Sequence, residues 1–410
     1  MPRPIAVFLV FLRLGLTSFG GPVAHLGYFR AEFVERRRWL TEEEYGELVA
    51  LCQFLPGPAS SQVGFAVGLR RAGVTGALLA FVAFTLPSSA LMLLAATGAS
   101  ILAGDAVEGA VRGLLIVAVA VVAHAVWGMA RTLAPDRARA LIAAGAAAVV
   151  LVVGGPWSQI AAILLGALAG LLWCRPQPEP AETPVPPVPP RPPRSERDDV
   201  GFRVPVAAGI ASLVVFAALL AGLPVLAAVT GDGTVALVDA FSRSGALVFG
   251  GGHVVLPLLD AAVVQTGWVE ADQFLTGYAA AQAVPGPLFT FATYLGALSS
   301  AGPGGVAGAV IATLALFLPG FLLLVGVLPF WTLIRSRPWA GAIMRGASAA
   351  VVGILAAALY DPVLVTAITG PVALAAAIVA FVLLGPVRAP AWAVVLAGGV
   401  GGAAVAGLAG

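Results

Sequence analysis

The sequence predicts an all-α polytopic membrane protein built from two inverted-topology repeats, with broken or re-entrant helices at Pro-Gly-Pro motifs. Three observations predict it. Hydrophobic residue types make up 60% of the 410 residues, only 10% are charged, and the mean hydropathy is +0.99. A soluble fold of this length needs more polar surface than that composition supplies, so the bilayer is its solvent. Long apolar stretches recur, most of them able to cross roughly 30 Å of hydrocarbon at about 1.5 Å per residue. One set of residue types also returns in the second half at a nearly constant offset.

The elements follow in order. Residues 1–21 carry Arg3 and the apolar run Ile5–Leu12, but Arg13 interrupts the run and no small-residue cleavage site closes it. This start is expected to be a retained membrane element and not a secretory signal. Spans are expected at 74–101, 107–130, 138–154 and 156–173, the third at the short limit. Ten prolines then fall within residues 176–193, so no helix forms there and the segment reads as a solvated tether. Further spans are expected at 204–229, 305–333, 339–360, 362–384 and 390–409. The domains are thus an N-terminal repeat at 1–173, a Pro-rich cytoplasmic linker at 174–203 and a C-terminal repeat at 204–410, in which 204–229 is extra.

The repeat is explicit in residue types. Phe11-x-Arg13-x-Gly15 returns as Phe241-x-Arg243-x-Gly245, and Phe19-Gly20-Gly21 as Phe249-Gly250-Gly251, both at an offset of 230. Trp39 matches Trp268, and Gln53-x-x-Pro56-Gly57-Pro58 matches Gln282-x-x-Pro285-Gly286-Pro287, at an offset of 229. Leu86-Pro87 matches Leu318-Pro319 at 232.

Arginine placement sets the relative orientation, because short cytoplasmic loops accumulate basic residues. The first repeat carries Arg30, Arg36, Arg37 and Arg38 between Gly27 and Glu47. The matching stretch of the second carries none, but has Asp260, Glu270 and Asp272. Equivalent loops therefore sit on opposite sides. A walk along the spans puts Arg131, Arg137, Arg139, Arg175, Arg335, Arg337 and Arg388 on the side of Arg70 and Arg71. It requires residues 4–26, 48–70, 234–265 and 274–300 to enter and leave on one side, as re-entrant hairpins or broken half-helices.

The paired Pro-Gly-Pro motifs lie inside apolar segments, where Pro56, Pro58, Pro285 and Pro287 break a helix at membrane depth. Broken backbone survives there when protein buries it or it lines a wet cavity, and paired interruptions in two halves point to a carrier's binding site. The half-helix N-termini at 57–61 and 286–290 present free N–H groups and a positive dipole to an anion. Simple kinks are the structural alternative. Gln53, Ser60, Ser61, Gln62, Gln282 and Thr290 cluster at the breaks as neutral donors, although Ser and Thr also bond backwards to helix carbonyls. Arg13 and Arg243 would fork onto two anion oxygens, or else snorkel to the interface. Gly20, Gly21, Gly250 and Gly251 permit an anion-binding nest or a plain tight turn. His25, His253 and Asp260 are proton-coupling candidates, weighed against ordinary structural roles. Glu42, Glu43, Glu44 and Glu47 read as the acidic first turn of a helix capped by Thr41.

Phe19-Gly20-Gly21-Pro22-x-x-His25, the Trp39 loop, Leu51-Cys52-Gln53-x-Leu55-Pro56-Gly57-Pro58 and Gln282-x-x-Pro285-Gly286-Pro287 resemble the chromate ion transporter family in its long, two-domain form. The resemblance spans nearly everything but the linker. It implies export of chromate across the bacterial inner membrane, driven by the proton-motive force, and hence chromate resistance. Gly252 stands where the first repeat has Pro22, so equal roles for the halves do not follow.

The expected arrangement is a central dianion site between the two breaks, formed by Arg13, Arg243, Gln53, Gln282, Gly57, Ser60, Ser61, Gly286 and Thr290. One repeat rocks against the other, and the N-terminus is cytoplasmic. The expected partners are chromate or a sulfate-like oxyanion, protons, the bilayer and, as an open possibility, a second copy in a homodimer. A passive anion channel would use the same breaks. A membrane-embedded reductase would need a cofactor, but three scattered histidines and the lone Cys52 and Cys174 offer no metal cluster, so no cofactor is expected. No phosphate-cradling loop suggests ATP drive. A net charge of +2 gives no footprint for nucleic acid.

Overall fold

A computed structural model describes residues 2–101, 105–154, 156–174, 204–249, 252–335 and 337–409. The tether at 175–203 and the pair Gly250 and Gly251 lie outside the described residues. Every described regular element is a helix. Five are long and apolar enough to span a membrane: Ala59–Gly98, Val107–Leu133, Val206–Thr230, Gly305–Ile334 and Pro338–Ala367. Large apolar side chains stand exposed around them, with Val152 at 85% and Val372 at 82%, a surface that lipid covers and water would not tolerate.

The first repeat runs α1 (Arg3–Thr17), α2 (Gly21–Arg30), α3 (Glu42–Phe54), α4 (Ala59–Ile101), α5 (Asp105–Leu133), α6 (Arg137–Val153) and α7 (Pro156–Trp173). The added α8 (Val206–Thr230) has no buried residues across its most apolar stretch and lies against α9 and α13, the next elements of the second repeat. That repeat runs α9 (Gly233–Ala246), α10 (Val255–Leu259), α11 (Ala271–Ala283), α12 (Phe291–Leu298), α13 (Gly305–Val327), α14 (Trp331–Arg335), α15 (Pro338–Ala358), α16 (Val365–Ala367), α17 (Pro371–Leu384) and α18 (Ala391–Ala409). Matching π-helical turns follow α2 at Ala31–Arg36 and α10 at Asp260–Val264, so the repeat extends to a local irregularity.

The elements ahead of the long spans fold as hairpins. Phe11 in α1 lies 5.8 Å from Phe29 and 5.2 Å from Phe33, ring to ring, so the chain doubles back at residues 18–20. α4 is itself two arms, because Ala72 and Gly73 leave the helix. A Cβ on Gly68 would stand 2.4 Å from the Gly76 carbonyl, whereas a straight helix would hold the two about 12 Å apart. The chain thus reverses sharply there. α12 and α13 repeat the reversal, with the Gly296 position 2.3 Å from the Gly308 carbonyl.

The mouth of the α3–α4 hairpin is closed by charge. Thr41 and Glu44 form a capping box: the Glu44 N–H donates to Thr41 Oγ1 at 3.2 Å and the Thr41 N–H to Glu44 Oε2 at 2.9 Å. The other oxygen of Glu44 takes Arg70 at 2.5 Å, and Arg71 and Arg37 lie over the Trp39 ring at 5.1 and 5.4 Å. α3 and the first arm of α4 therefore start and finish together. In the second repeat a neutral bond does this work, the Ser300 N–H donating to the Trp268 carbonyl at 3.0 Å.

Between the repeats, α5 packs on α18, and α15 on α6 and α7. The second arm of α4 crosses α13 antiparallel: Phe81 lies 5.1 Å from Phe321, and eight residues later Ser89 joins Thr313 through Thr293. The expected spans at 138–154, 156–173 and 390–409 form helices that are not among those five, and a fourth expected span differs in shape. Residues 362–384 are not a single helix, because the chain leaves helical geometry at Ile368–Gly370 and resumes only at Pro371. Pro371 disfavours a helical conformation in the residue before it, so the new helix begins there.

Candidate functional site

Four hairpin tips converge between the repeats. Gly57 and Gly286 sit at φ +124° and +99°, conformations that L side chains avoid. Space forbids a side chain as well: a Cβ at 57 would stand 3.0 Å from Gly320 Cα, and one at 286 would stand 2.8 Å from Ser88 Oγ. Two reciprocal hydrogen bonds lock the tips together. The Gly57 N–H donates to the Val248 carbonyl at 2.7 Å, and the Gly286 N–H donates to the Ser18 carbonyl at 2.9 Å. Gly57 matches Gly286 and Ser18 matches Val248 in the repeat, so each motif grips the other copy in the same way. These two N–H groups are thereby committed and are not available to a ligand. Gln62 braces the first break, its Nε2 donating to the carbonyls of Pro56 at 3.1 Å and Gly320 at 2.9 Å.

Two histidines flank the tips. His25 is fully buried, with Nε2 3.2 Å from the Ser18 carbonyl and Nδ1 3.4 Å from Ser60 Oγ. A carbonyl only accepts, so Nε2 carries the proton and Nδ1 accepts from Ser60. His253 Nδ1 lies 2.7 Å from the Tyr278 hydroxyl and 3.3 Å from Gln282 Nε2, both donors, which makes Nε2 the protonated nitrogen here too. Ser61 Oγ is buried and without a hydrogen-bond partner among the described residues. Thr290 bonds back to the Pro287 carbonyl at 2.8 Å.

The tips thus gather Gly57, Ser60, Ser61, His25, Gly286, Thr290, Gln282 and His253, with Pro56, Pro58, Pro285 and Pro287 shaping them and Gly20 and Gly21 turning the first. Gln53 is exposed on α3. The two arginines do not meet. Arg13 is exposed on α1, its carbonyl taken by Thr17 Oγ1. Arg243 pairs with buried Asp239 at 2.6 Å and lines a separate cavity of about 210 Å³ with Gln159, Ser244, Thr266 and Trp268. Asp260 is buried in the second π-helical turn, where Oδ2 accepts from Gln265 Nε2 at 3.2 Å and Oδ1 has no partner among the described residues.

Sequence reasoning missed Ser18, Tyr278 and Asp239. Asp239 stood four residues before Arg243 on a helix, a readable ion-pair spacing. Ser18 acts through its carbonyl and left no signal.

Three relatives align with this chain over most of their length. The chain matches the chromate transporter family over residues 5–171 and 235–403. The chromate transport protein of Pseudomonas aeruginosa is 29% identical over 373 residues, 90% of this chain and 83% of that one. That of Cupriavidus metallidurans is 28% identical, over 86% of this chain and 80% of its own. An uncharacterized transporter of Methanocaldococcus jannaschii is 25% identical, over 87% and 83%. No solved structure matches the chain. Family pattern runs through both halves that supply the interlocked tips, and the chain belongs to the chromate transporter family.

Proposed function

We propose that the protein is a secondary carrier that exports chromate from the bacterial cytoplasm, is driven by the proton-motive force and confers chromate resistance. The observation that carries this reading is the reciprocal interlock, Gly57 to Val248 and Gly286 to Ser18, which holds two broken helices from two repeats tip to tip in the buried middle of the fold. The relatives' chromate transport names supply the ion.

The repeats are inverted in this reading. Antiparallel crossing of the second arm of α4 and α13 supports it, since a two-fold axis exchanging two antiparallel helices runs perpendicular to them. If those helices span the bilayer, the axis lies in its plane. The arginine-rich loops, including Arg70 and Arg71, then face the cytoplasm together with the N-terminus. The tips hold a tetrahedral dianion through Gln282, the Ser61 hydroxyl and the unbonded N–H groups that open each half-helix. Neutral donors bind without trapping. The inside-negative potential favours exit by about 5 kcal/mol per dianion per 100 mV, and His25, His253 or Asp260 carries any coupled proton.

Inside-out vesicles energised by respiration test this. Chromate accumulation that collapses with an uncoupler and yields to excess sulfate is the expected result. Absence of chromate flux would overturn the substrate assignment, and flux indifferent to the uncoupler would overturn the coupling.

A further inference from the structure

The crossing of the second arm of α4 with α13 has two ends related by the repeat, and they are built from opposite chemistry. One end is aromatic: Phe65 stacks on Phe321 at 4.4 Å, and Phe81 lies 5.1 Å from Phe321 and 5.0 Å from Phe317. The other end is a hydroxyl cluster. Thr293 Oγ1 donates to Ser89 Oγ at 3.0 Å and lies 2.8 Å from Thr313 Oγ1, while Thr313 donates to the Ala309 carbonyl at 2.7 Å. By the repeat offsets Ser89 corresponds to Phe321, Thr313 to Phe81 and Thr293 to Gly64. A purely structural crossing could use one solution at both ends. Here one end is sealed by carbon and the other is lined with donors.

Counting hydrogens sharpens the point. Three hydroxyls carry three hydrogens: that of Thr313 goes to Ala309, and that of Thr293 goes to Ser89. The hydrogen of Ser89 has no acceptor among the described residues. A serine in a helix ordinarily returns its hydrogen to a carbonyl three or four residues back, as neighbouring Ser88 does to Thr85 at 3.0 Å. Ser89 does not, and it is only half-buried. One turn earlier on the same face, Thr85 Oγ1 is buried and unpartnered. Ser89 itself reaches the segment that follows the second Pro-Gly-Pro break, because its partner Thr293 stands in α12 three residues after Thr290.

We propose that Ser89, held in place by Thr293 and Thr313, is a contact site for the tetrahedral oxyanion as it passes the second break, and that the phenylalanine end of the same crossing bars it. The proposal rests on the reading of the protein as an oxyanion carrier. A single neutral hydroxyl lends an anion oxygen one hydrogen bond and lets it go, which suits a transfer point better than a resting site.

Ser89→Ala is the direct test. It removes the spare donor and orphans nothing, since Thr293 can turn to Thr313. In vesicles the half-saturating chromate concentration should rise about tenfold, the loss expected for one hydrogen bond to a charged group, with a far smaller change in maximal rate and none in melting temperature. A wild-type half-saturation would overturn the proposal. Should that variant not accumulate, Ser89→Cys serves: a cationic methanethiosulfonate, applied and washed away before chromate, should block flux, and undiminished flux would overturn the proposal equally. Wild-type vesicles that carry no chromate would overturn the carrier reading and this site with it. Wild-type flux with an indifferent Ser89→Ala overturns this site alone.

Discussion

Glu44, in the first turn of α3, and Arg70, near the end of the first arm of α4, meet at 2.5 Å although 26 residues and a proline break separate them. Their contact makes the segment between them a hairpin whose two ends stand together. Burial raises the Glu44 carboxyl, but the hydrogen bonds from Arg70 and from the Thr41 N–H outweigh it and hold the group below the usual carboxylate range. With a depressed folded value, the pair's contribution is present at neutral pH and is lost as pH falls through that value. Each side chain is about a quarter exposed, so the pair contributes about 1 kcal/mol. Glu44→Gln should therefore melt lower than wild type at pH 7, and the gap should start to narrow only once the pH falls below the ordinary glutamate value of about 4.3, closing at lower pH still. A gap that widens on acidification would show that Arg70 is not its cause.

Gly57→Ala and Gly286→Ala should both lower the melting temperature of the carrier, for two separable reasons. Each puts a Cβ on a left-handed backbone, costing about 1–2 kcal/mol, and each adds a clash. At 286 the clash is with one small side chain, Ser88 Oγ at 2.8 Å, and at 57 it includes backbone, Gly320 Cα at 3.0 Å. Adding Ser88→Gly should thus recover part of the stability lost by Gly286→Ala, leaving the backbone strain. No second-site change at Gly320 can do the same for Gly57→Ala, since residue 320 already has no side chain. Thermal melts of the purified single and double variants decide it.

Arg13 and Arg243, equal in the repeat, should behave unequally. Arg243→Gln leaves Asp239 buried without its partner and should cost about 2 kcal/mol, recovered when Asp239→Asn is added. The first repeat has Leu9 where the second has Asp239, and Arg13 stands exposed. Arg13→Gln should leave the melting temperature within about a degree. On transport, neither loss should shift the half-saturating chromate, because Arg13 is exposed and Arg243 lines a separate cavity. A rise with either variant would bring that arginine into the site.

The repeat, the five long spans and the helix cap at Thr41 were legible because they are written in side-chain type and spacing. Recurring Pro-Gly-Pro located the tips for the same reason. What holds the tips together was not legible: Gly57 to Val248 and Gly286 to Ser18 are backbone bonds, which any residue but proline could donate. Recurrence also misdirected. Arg13 and Arg243 looked like one site because they match, yet the neighbour that decides each one's fate, Leu9 or Asp239, does not match. The unequal ends of the α4–α13 crossing stayed hidden likewise, since the pairing of Ser89 with Phe321 emerges only when the helices are laid antiparallel. At Thr369-Gly370-Pro371 the stop was readable and was overridden by the apolar run around it.

Gln62 offers a charge-sensitive check on the brace across the first break. Its amide nitrogen gives both hydrogens to carbonyls, Pro56 at 3.1 Å and Gly320 at 2.9 Å, and so ties the broken helix of one repeat to α13 of the other. Gln62→Leu removes both bonds and leaves two carbonyls short of a donor, a loss of about 2 kcal/mol. Gln62→Glu keeps the shape but, once ionised, turns an acceptor toward two acceptors at a fully buried position. The glutamate variant should therefore be the less stable of the two at pH 8 and should close on the leucine variant as the pH is lowered and its carboxyl takes up a proton that can be donated to one carbonyl. If the two variants melt alike at every pH, the amide nitrogen is not what faces Pro56 and Gly320, and the brace is lost as an explanation for the closeness of Gly57 and Gly320.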